Sequence, residues 1–433
     1  VKIALMHYRA GLMDGVSLEM EKWKSVLESM GHEVHMVAGN VSPAVDVYIK
    51  EMGFEDEKYH WINHNAFEKL EAPKQEVLNA IEGKAKEIEM LFDEHLSSYD
   101  LLIPNNIWSL GAYLPSAIAL ARYARKTEKK FIAHNHDFWW ERDYFLNYTF
   151  EEIGNMLEEY CPPDLPNVKH VVINEKAKEA MKRRKGLEAT VVPNVMNFDA
   201  PPFVSEKLNE GVRKYFNISA GDIVFLQATR ITPRKAIELA IDLIGEFKKA
   251  VKNYVGHKMY NNQEFSGRVL LAFSGMCEDN TEWYRDELYD YAKEKGVEVL
   301  NMYGSVEEKK WSFWDLYSIA DMVTYPSILE GWGNQLLEAI MAKKPVALFE
   351  YEIFKSDIKP SGLEYVNLGD VFTKKGDFVK IKPEILEKGA KECLKILFDK
   401  EVYEKMVEKN FKIGREFFGY ATLKKLIEEI MQK

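Results

Sequence analysis

Residues 322–349 constrain the fold of this chain more tightly than any other stretch. Two apolar runs, Met322 to Tyr325 and Val346 to Phe349, bracket a loop and a segment in which Leu336, Leu337, Ile340 and Met341 recur at helical spacing. The pattern is strand, loop, helix, strand, the repeating unit of α/β sheets. In the loop, Gly331 and Gly333 let the backbone come close to a ligand. The first amides of the helix, near Gly333 and Asn334, have no acceptor within the helix and form an anion cradle that fits a phosphate. Glu330 and Glu338 flank that cradle. Carboxylates beside a phosphate site are useful where they accept hydrogen bonds from neutral hydroxyls, as on a ribose or a hexose. A nucleotide sugar carries all of these groups. A buried amphipathic helix with a glycine-rich cap would show the same apolar spacing, but it leaves Glu330 and Asn334 unexplained.

Composition sets the class. With 433 residues the chain is too long for one ordinary core and suits two domains of roughly 200 residues. Its apolar share of 46% and charged share of 29% are those of a globular protein, and a net charge of -11 opposes a nucleic-acid partner. Cys161, Cys277 and Cys393 are far apart, odd in number and without metal-ligand spacing. They read as free thiols in a reducing compartment. Arg9 closes the apolar start before a signal-peptide core could form, and no run of about 18 apolar residues occurs. The expectation is a soluble, cytoplasmic enzyme of small molecules, without stable membrane insertion and of unspecified oligomeric state.

Glu330 and Glu338 stand with seven residues between them inside P-S-x-x-E-G-W-G-N-x-x-L-E-A-x-x-A-x-x-P-V. This resembles the paired-glutamate motif of the retaining GT-B glycosyltransferases of family 4, the group 1 type. The resemblance is strong from about Phe225 to Leu348 and looser before Pro193. It implies an α/β architecture of two Rossmann-like doubly wound domains facing across a cleft. The acceptor domain would span 1–197 and the nucleotide-sugar domain 198–415, with a C-terminal helix at 416–433 returning to the first domain.

Along the first half, Lys2 to Tyr8 reads as a strand, Ser17 to Met30 as a helix stopped by Gly31, and Glu33 to Val37 as the next strand. The loop after the first strand lacks G-x-G-x-x-G, which opposes a dinucleotide site. In the resembled family this loop is Gly-rich and faces the donor, so Gly15, the matching glycine, is a candidate donor contact. A helical stretch from Phe67 to Leu96, a strand from Asp100 to Ile103 ending at Asn105 and Asn106, and a helix from Leu110 to Arg125 follow. The strand Lys130 to Ala133 then runs into His134, Asn135, His136 and Asp137, at a carboxyl end where ligands of open sheets gather. A metal would need a third ligand that the local spacing does not supply, which leaves structural hydrogen bonding or substrate contact. The resemblance places the His136 imidazole near the donor hexose. Trp139 and Trp140 either carry a sugar ring or anchor a loop on the core. With Asn106, His134 and Asp137 they make up the candidate acceptor site.

Pro193 and Asn194 resemble the family's hinge, and the boundary is expected near Met196 to Phe203, stiffened by Pro201 and Pro202. Asp222 to Leu226 opens a second β-α-β series. Residues 228–235 match the family's Gly-Arg…Lys-Gly loop, with Ala228, Thr229 and Ala236 at positions that are otherwise small or glycine. Arg230 and Lys235 can converge on one diphosphate and stabilise a departing phosphate, whereas Arg234 is expected in solvent. Strands from Val269 to Phe273 and Val297 to Met302 follow. The resemblance sets Met302 and Tyr303 along the nucleobase through backbone contacts. Residues 349–363 suggest no mechanism.

The implied reaction moves a hexose from a GDP- or UDP-hexose to a small hydroxyl acceptor with retention of configuration, and needs neither metal nor other cofactor. His136, Glu330, Arg230 and Lys235 form the expected catalytic set. Gly15, Met302, Tyr303, Glu330, Gly331, Trp332, Gly333, Asn334 and Glu338 form the donor set. The stretches H-N-H-D-F-W-W-E-R and Y-E-I-F-K-S-D-I look like those of enzymes that make compatible-solute glycosides of glycerate. A sugar-nucleotide epimerase and a non-catalytic nucleotide-sugar sensor are the rival readings.

Overall fold

The computed structural model describes residues 1–201 and 205–432, so Pro202 and Phe203 of the expected linker lie outside the described residues. The chain forms two compact units, Val1–Val195 with Ala421–Lys433, and Met196–Tyr420.

The first unit is built on β1 (Lys2–His7), β2 (Glu33–Ala38), β3 (Val47–Tyr48), β4 (Leu101–Pro104), β5 (Lys130–Asn135), β6 (Val168–Val172) and β7 (Ala189–Val191). They form one parallel sheet in the order β3-β2-β1-β4-β5-β6-β7. Strands covered on both faces need continuous apolar sequence, and Ile3 to Met6 are completely buried. The order reverses between β1 and β4, so their connections leave to opposite sides and a crevice opens at the carboxyl ends. The helix Lys74–Leu96 buries Val77, Ile81, Ala85, Ile88, Phe92 and Leu96 along one stripe. It starts later than the expected Phe67 because Pro73 bars helical geometry at the residue before it. Likewise the helix expected from Leu110 begins at Leu114, after Gly111 turns left-handed at φ 61°.

The second unit carries β8 (Ile223–Gln227), β9 (Val269–Phe273), β10 (Glu298–Asn301), β11 (Met322–Tyr325), β12 (Val346–Leu348) and β13 (Val366–Asn367). These too are parallel, in the order β10-β9-β8-β11-β12-β13, with the reversal between β8 and β11. The helix Lys400–Phe418 belongs to this unit, so the returning segment expected from 416 begins later, with the helix Tyr420–Gln432. Gly419 permits the break: a Cβ there would sit 2.4 Å from the Arg415 carbonyl oxygen. The last helix joins the first unit, where Lys169 Nζ donates to the Ile430 carbonyl at 2.7 Å. No described helix is long and apolar enough to cross a membrane.

Candidate active site

In the second unit, the loops after β8 and β11 meet at the reversal of the sheet. The turn Pro233–Lys235 presents two cations, Arg234 and Lys235, to the loop that carries Glu330, and Arg230 precedes that turn. Lys235 Nζ and Arg234 Nη1 both pair with the Glu330 carboxylate, Arg234 at 3.2 Å, and the Arg234 carbonyl accepts from Ile328 N at 3.1 Å. Arg234, expected in solvent, is 40% exposed yet belongs to the cluster, into which the backbone bridge to Ile328 draws it. Arg230 Nη1 lies 3.4 Å from Glu278, which Arg234 also approaches at 3.8 Å. Three cations face two carboxylates, and the surplus positive charge suits an anion such as a diphosphate. Burial pushes the Lys235 ammonium below its ordinary range, Glu330 opposes that shift, and Arg234 and Arg230 add to it.

The backbone holding these charges is tightly specified. A Cβ at Gly275, just past β9, would sit 1.9 Å from the Thr229 carbonyl oxygen, so the turn packs directly under Arg230. Thr324 donates to Gln227 Oε1 at 2.6 Å, Gln227 Nε2 donates to Thr229 Oγ1 at 2.7 Å, and Thr229 donates to the Arg230 carbonyl at 3.1 Å. This buried string was not legible in the sequence; only the adjacency of β8 and β11 creates it. Ala236 takes the left-handed φ of 47° at the position where the resembled family has glycine, a conformation that costs about 1 kcal/mol with a Cβ.

The paired-glutamate loop is braced from behind. Tyr351 donates to the Trp332 carbonyl at 2.6 Å, and a Cβ on Gly333 would lie 2.6 Å from that tyrosine oxygen. Residues 349–363, silent in the sequence, thereby gain a role as support. Trp332 is not a ligand platform: it is 4% exposed and its ring packs on Phe418. Gly333 caps the helix Asn334–Met341 without a side chain. A Cβ on Gly331 would meet nothing within 4 Å, so that glycine borders open space. On the helix, Glu338 Oε2 accepts from the Tyr317 hydroxyl at 3.0 Å. Met302 and Tyr303 do not offer free backbone to a nucleobase. Met302 N donates to Phe273 O, Ser305 donates to the Met302 carbonyl through both N and Oγ, and Tyr303 N donates to Asn301 Oδ1. The short helix that starts at Tyr303 takes up the Met302 carbonyl, while β9 and the Asn301 side chain take up the two amides.

In the first unit, β5 continues to Asn135, so His134 lies within the strand and is 1% exposed. Its ring stands between Trp23 and His136, with centroids 4.4 and 4.0 Å away, and neither nitrogen has a partner among the described residues. Burial lowers its pKa to about 3. It is a core residue, not an acceptor contact. Asn106, at a left-handed φ of 54°, is used up locally. Its Oδ1 accepts from His136 N and Ser109 Oγ, and its Nδ2 donates to Asp137 Oδ1. Asp137 Oδ2 is held by Arg142 through Nε at 2.6 Å and through Nη2. Trp139 is 3% exposed and donates its indole N–H to the Cys161 carbonyl; Trp140 stacks on Phe138 at 4.3 Å. Trp139 and Trp140 thus take the loop-anchoring alternative, and Asn106 and Asp137, expected in the acceptor site, bond to each other and to Ser109, His136 and Arg142. Gly15 opens the helix Gly15–Ser29, whose first amides, Val16 N and Ser17 N, already donate to the Asp14 carboxylate.

His136 keeps its polar edge. Its Nε2 lies 3.0 Å from Asn105 Oδ1, and Asn105 Nδ2 donates to the Ile103 carbonyl, so the amide oxygen is the acceptor and Nε2 carries the proton. Nδ1 is then the lone-pair nitrogen. The Asn105 carbonyl accepts from His7 Nδ1 at 2.8 Å, so one residue sets the tautomers of two histidines. Burial, reinforced by His134 and His7, holds His136 well below the usual imidazole range. Such a ring accepts a hydrogen bond but is a poor proton shuttle. Among the described residues no group of three or more His, Cys, Asp or Glu is arranged to hold a metal ion.

The profile of the family described as "Glycosyl transferases group 1" matches residues 210–362. The mannosylglucosylglycerate synthase of Thermotoga maritima is 50% identical over 431 residues, 99% of this chain and 99% of that protein. The synthase of the same name from Petrotoga mobilis is 38% identical over 435 residues, 98% of this chain and 100% of that protein. Among solved structures, Anabaena HepE in complex with UDP and glucose superposes with a TM-score of 0.59 at 14% identity, covering 100% of this chain and 99% of that one.

Proposed function

Because the chain belongs to the group 1 glycosyl transferases, and among them to the family of the mannosylglucosylglycerate synthases, we propose that it transfers a mannosyl unit from a nucleoside diphosphate sugar to glucosylglycerate. It is a hexosyltransferase of GT-B fold that makes an osmolyte glycosylglycerate. The observation that carries the substrate assignment is 50% identity along 99% of both chains to a protein named mannosylglucosylglycerate synthase. Neither the epimerase reading nor the non-catalytic one draws support from these relatives.

The geometry supports a division of labour. Arg230 and Lys235 draw off the charge that grows on the departing diphosphate, as fixed cations cost no reorganisation when the bond breaks. Glu330, already held by Lys235 and Arg234, accepts hexose hydroxyls, and Glu338 accepts those of the ribose. His136 offers Nδ1 as an acceptor to a sugar hydroxyl. Burial leaves that ring weakly basic, and in this reading the departing phosphate takes the acceptor proton, on the same face from which it leaves, so that configuration is retained. The base is guanine or uracil, and the reaction takes place without a metal.

The test incubates the protein with glucosylglycerate and a panel of GDP and UDP hexoses, and reads the product by mass and by anomeric NMR coupling. One added hexose with the donor's anomeric configuration is expected. Donor consumption without a glycoside product, or release of an epimerised sugar, overturns the reading.

A further inference from the structure

We infer that Arg9 is the anchor for the acceptor's carboxylate, and hence the residue by which this protein selects a glyceric-acid glycoside over an uncharged one. The inference rests on the acceptor proposed above, which carries one negative charge that neutral hydroxyl contacts cannot discriminate.

Place comes first. Arg9 lies two residues beyond the end of β1, and Asn105, which holds His136, lies just beyond β4. β1 and β4 are the pair at which the sheet order reverses, so both residues border the crevice where ligands of open α/β sheets bind. His7 ties the two together, through its bond to the Asn105 carbonyl.

Availability comes second. Arg9 donates no hydrogen bond to any described residue; its closest polar contact is Asp14 Oδ2, 3.5 Å from Nε. Asp14 is already spent on Val16 N, Ser17 N and Ser17 Oγ as the cap of its helix. By contrast the fork of Arg142 is taken by Asp137. The Arg9 side chain is 43% exposed, enough to reach a ligand.

Preorganisation comes third. The residues on either side of Arg9 are pinned. Asn40 Oδ1 accepts from Ala10 N at 2.8 Å, Asn40 Nδ2 donates to the Ala10 carbonyl at 3.1 Å, and Gly39 N donates to the Tyr8 carbonyl at 3.2 Å. A Cβ on Gly53 would lie 2.5 Å from that Tyr8 oxygen, so the helical turn Lys50–Met52 and the bend leading to Phe54 are pressed against the loop. The Phe54 ring then sits 5.3 Å from the guanidinium carbon. A cation laid on an aromatic face loses little freedom when it binds, and its planar fork matches a carboxylate with two parallel bonds.

The experiment measures steady-state kinetics with glucosylglycerate and with its primary amide, which keeps the shape and loses the charge. The native enzyme should favour the acid by about 10- to 100-fold in kcat/KM, the range of a lost charge-assisted pair. Arg9→Gln should raise KM for the acid by a similar factor, leave the amide unchanged, and leave donor hydrolysis in the absence of acceptor unchanged. Arg9→Lys, which keeps the charge without the fork, should recover part of the affinity for the acid. Equal use of acid and amide by the native enzyme overturns the inference, even if Arg9→Gln fails to fold. So does a folded Arg9→Gln enzyme with native KM for the acid. Failure of the native enzyme to glycosylate glucosylglycerate at all is a different result, and it overturns the acceptor assignment itself.

Discussion

Lys235 and Glu330 form an ion pair in which the two side chains are only 4% and 9% exposed. Breaking such a pair strands one charge in a dry site, whereas removing both charges is far less costly. Glu330→Gln should lower stability by about 3 kcal/mol, Lys235→Met by less because Arg234 still holds the carboxylate, and the double variant should regain most of the larger loss while remaining inactive. Chemical denaturation of the four proteins checks this. Additive losses would show that the two groups act independently.

Glu338 has one oxygen on Tyr317 and is proposed to receive the donor ribose. Glu338→Gln should weaken nucleotide binding by about 1.5–3 kcal/mol, and Tyr317→Phe by about 1 kcal/mol, since the tyrosine only orients the carboxylate. Titration calorimetry reads both. A Glu338→Gln protein with native nucleotide affinity would remove Glu338 from the donor site.

Gly333 and Tyr351 make a test by steric rescue. Gly333→Ala drives a methyl to within 2.6 Å of the tyrosine oxygen and should reduce kcat/KM at least about 10-fold by displacing the loop that carries Glu330. Tyr351→Phe alone loses one buried hydrogen bond, about 1 kcal/mol. Because it also deletes the clashing atom, the double variant should be more active than Gly333→Ala. If it is less active, the two residues are not in the contact described.

Three histidines gather beneath the first-unit site, and burial lowers all of them, His7 to about 4 and His134 to about 3, with His136 well below its ordinary value. In the unfolded chain each takes a proton near 6.5. Stability from this set is therefore present above about pH 6.5 and falls with pH below it, the His7 share being exhausted near pH 4 and the His134 share near pH 3, with a slope of up to ~1.4 kcal/mol per pH unit for each ring. Calorimetry between pH 7 and pH 4 should show a shallower decline for His134→Phe than for the native chain. His136→Ala should lower kcat while leaving nucleotide affinity intact, and native turnover in that variant would exclude the ring from the reaction.

Cations and helix amides are proposed to meet the diphosphate without a divalent ion. Transfer should therefore persist in excess EDTA. Loss of activity that returns on adding Mg²⁺ or Mn²⁺ would contradict that.

The strands and the glycine-bearing loop were legible because their signals are local: apolar period, breakers and a short spaced motif. Ring orientation was not local. Whether Trp139 and Trp332 face a ligand or the core depends on Cys161 and Phe418, which sequence spacing does not bring near. Asn105 gained its role only once β1, β4 and β5 lay side by side. Arg234 was misplaced for a related reason: its carbonyl bonds to Ile328 across 94 positions, from 234 to 328, and carries the side chain with it. Asn106 and Asp137 looked like acceptor contacts because polar residues at strand ends often are, yet Ser109 and Arg142 had already claimed them.

The first unit is discontinuous: Met196–Tyr420 interrupts it, and its last helix arrives only at Tyr420–Gln432. For a chain emerging from a ribosome, this means that Lys169 waits 261 residues for its partner carbonyl at Ile430. The second unit, contiguous in sequence, can complete its core while the first is still missing a wall. Premature termination within the final helix would thus leave the signature-bearing half whole and harm the half that was synthesised first.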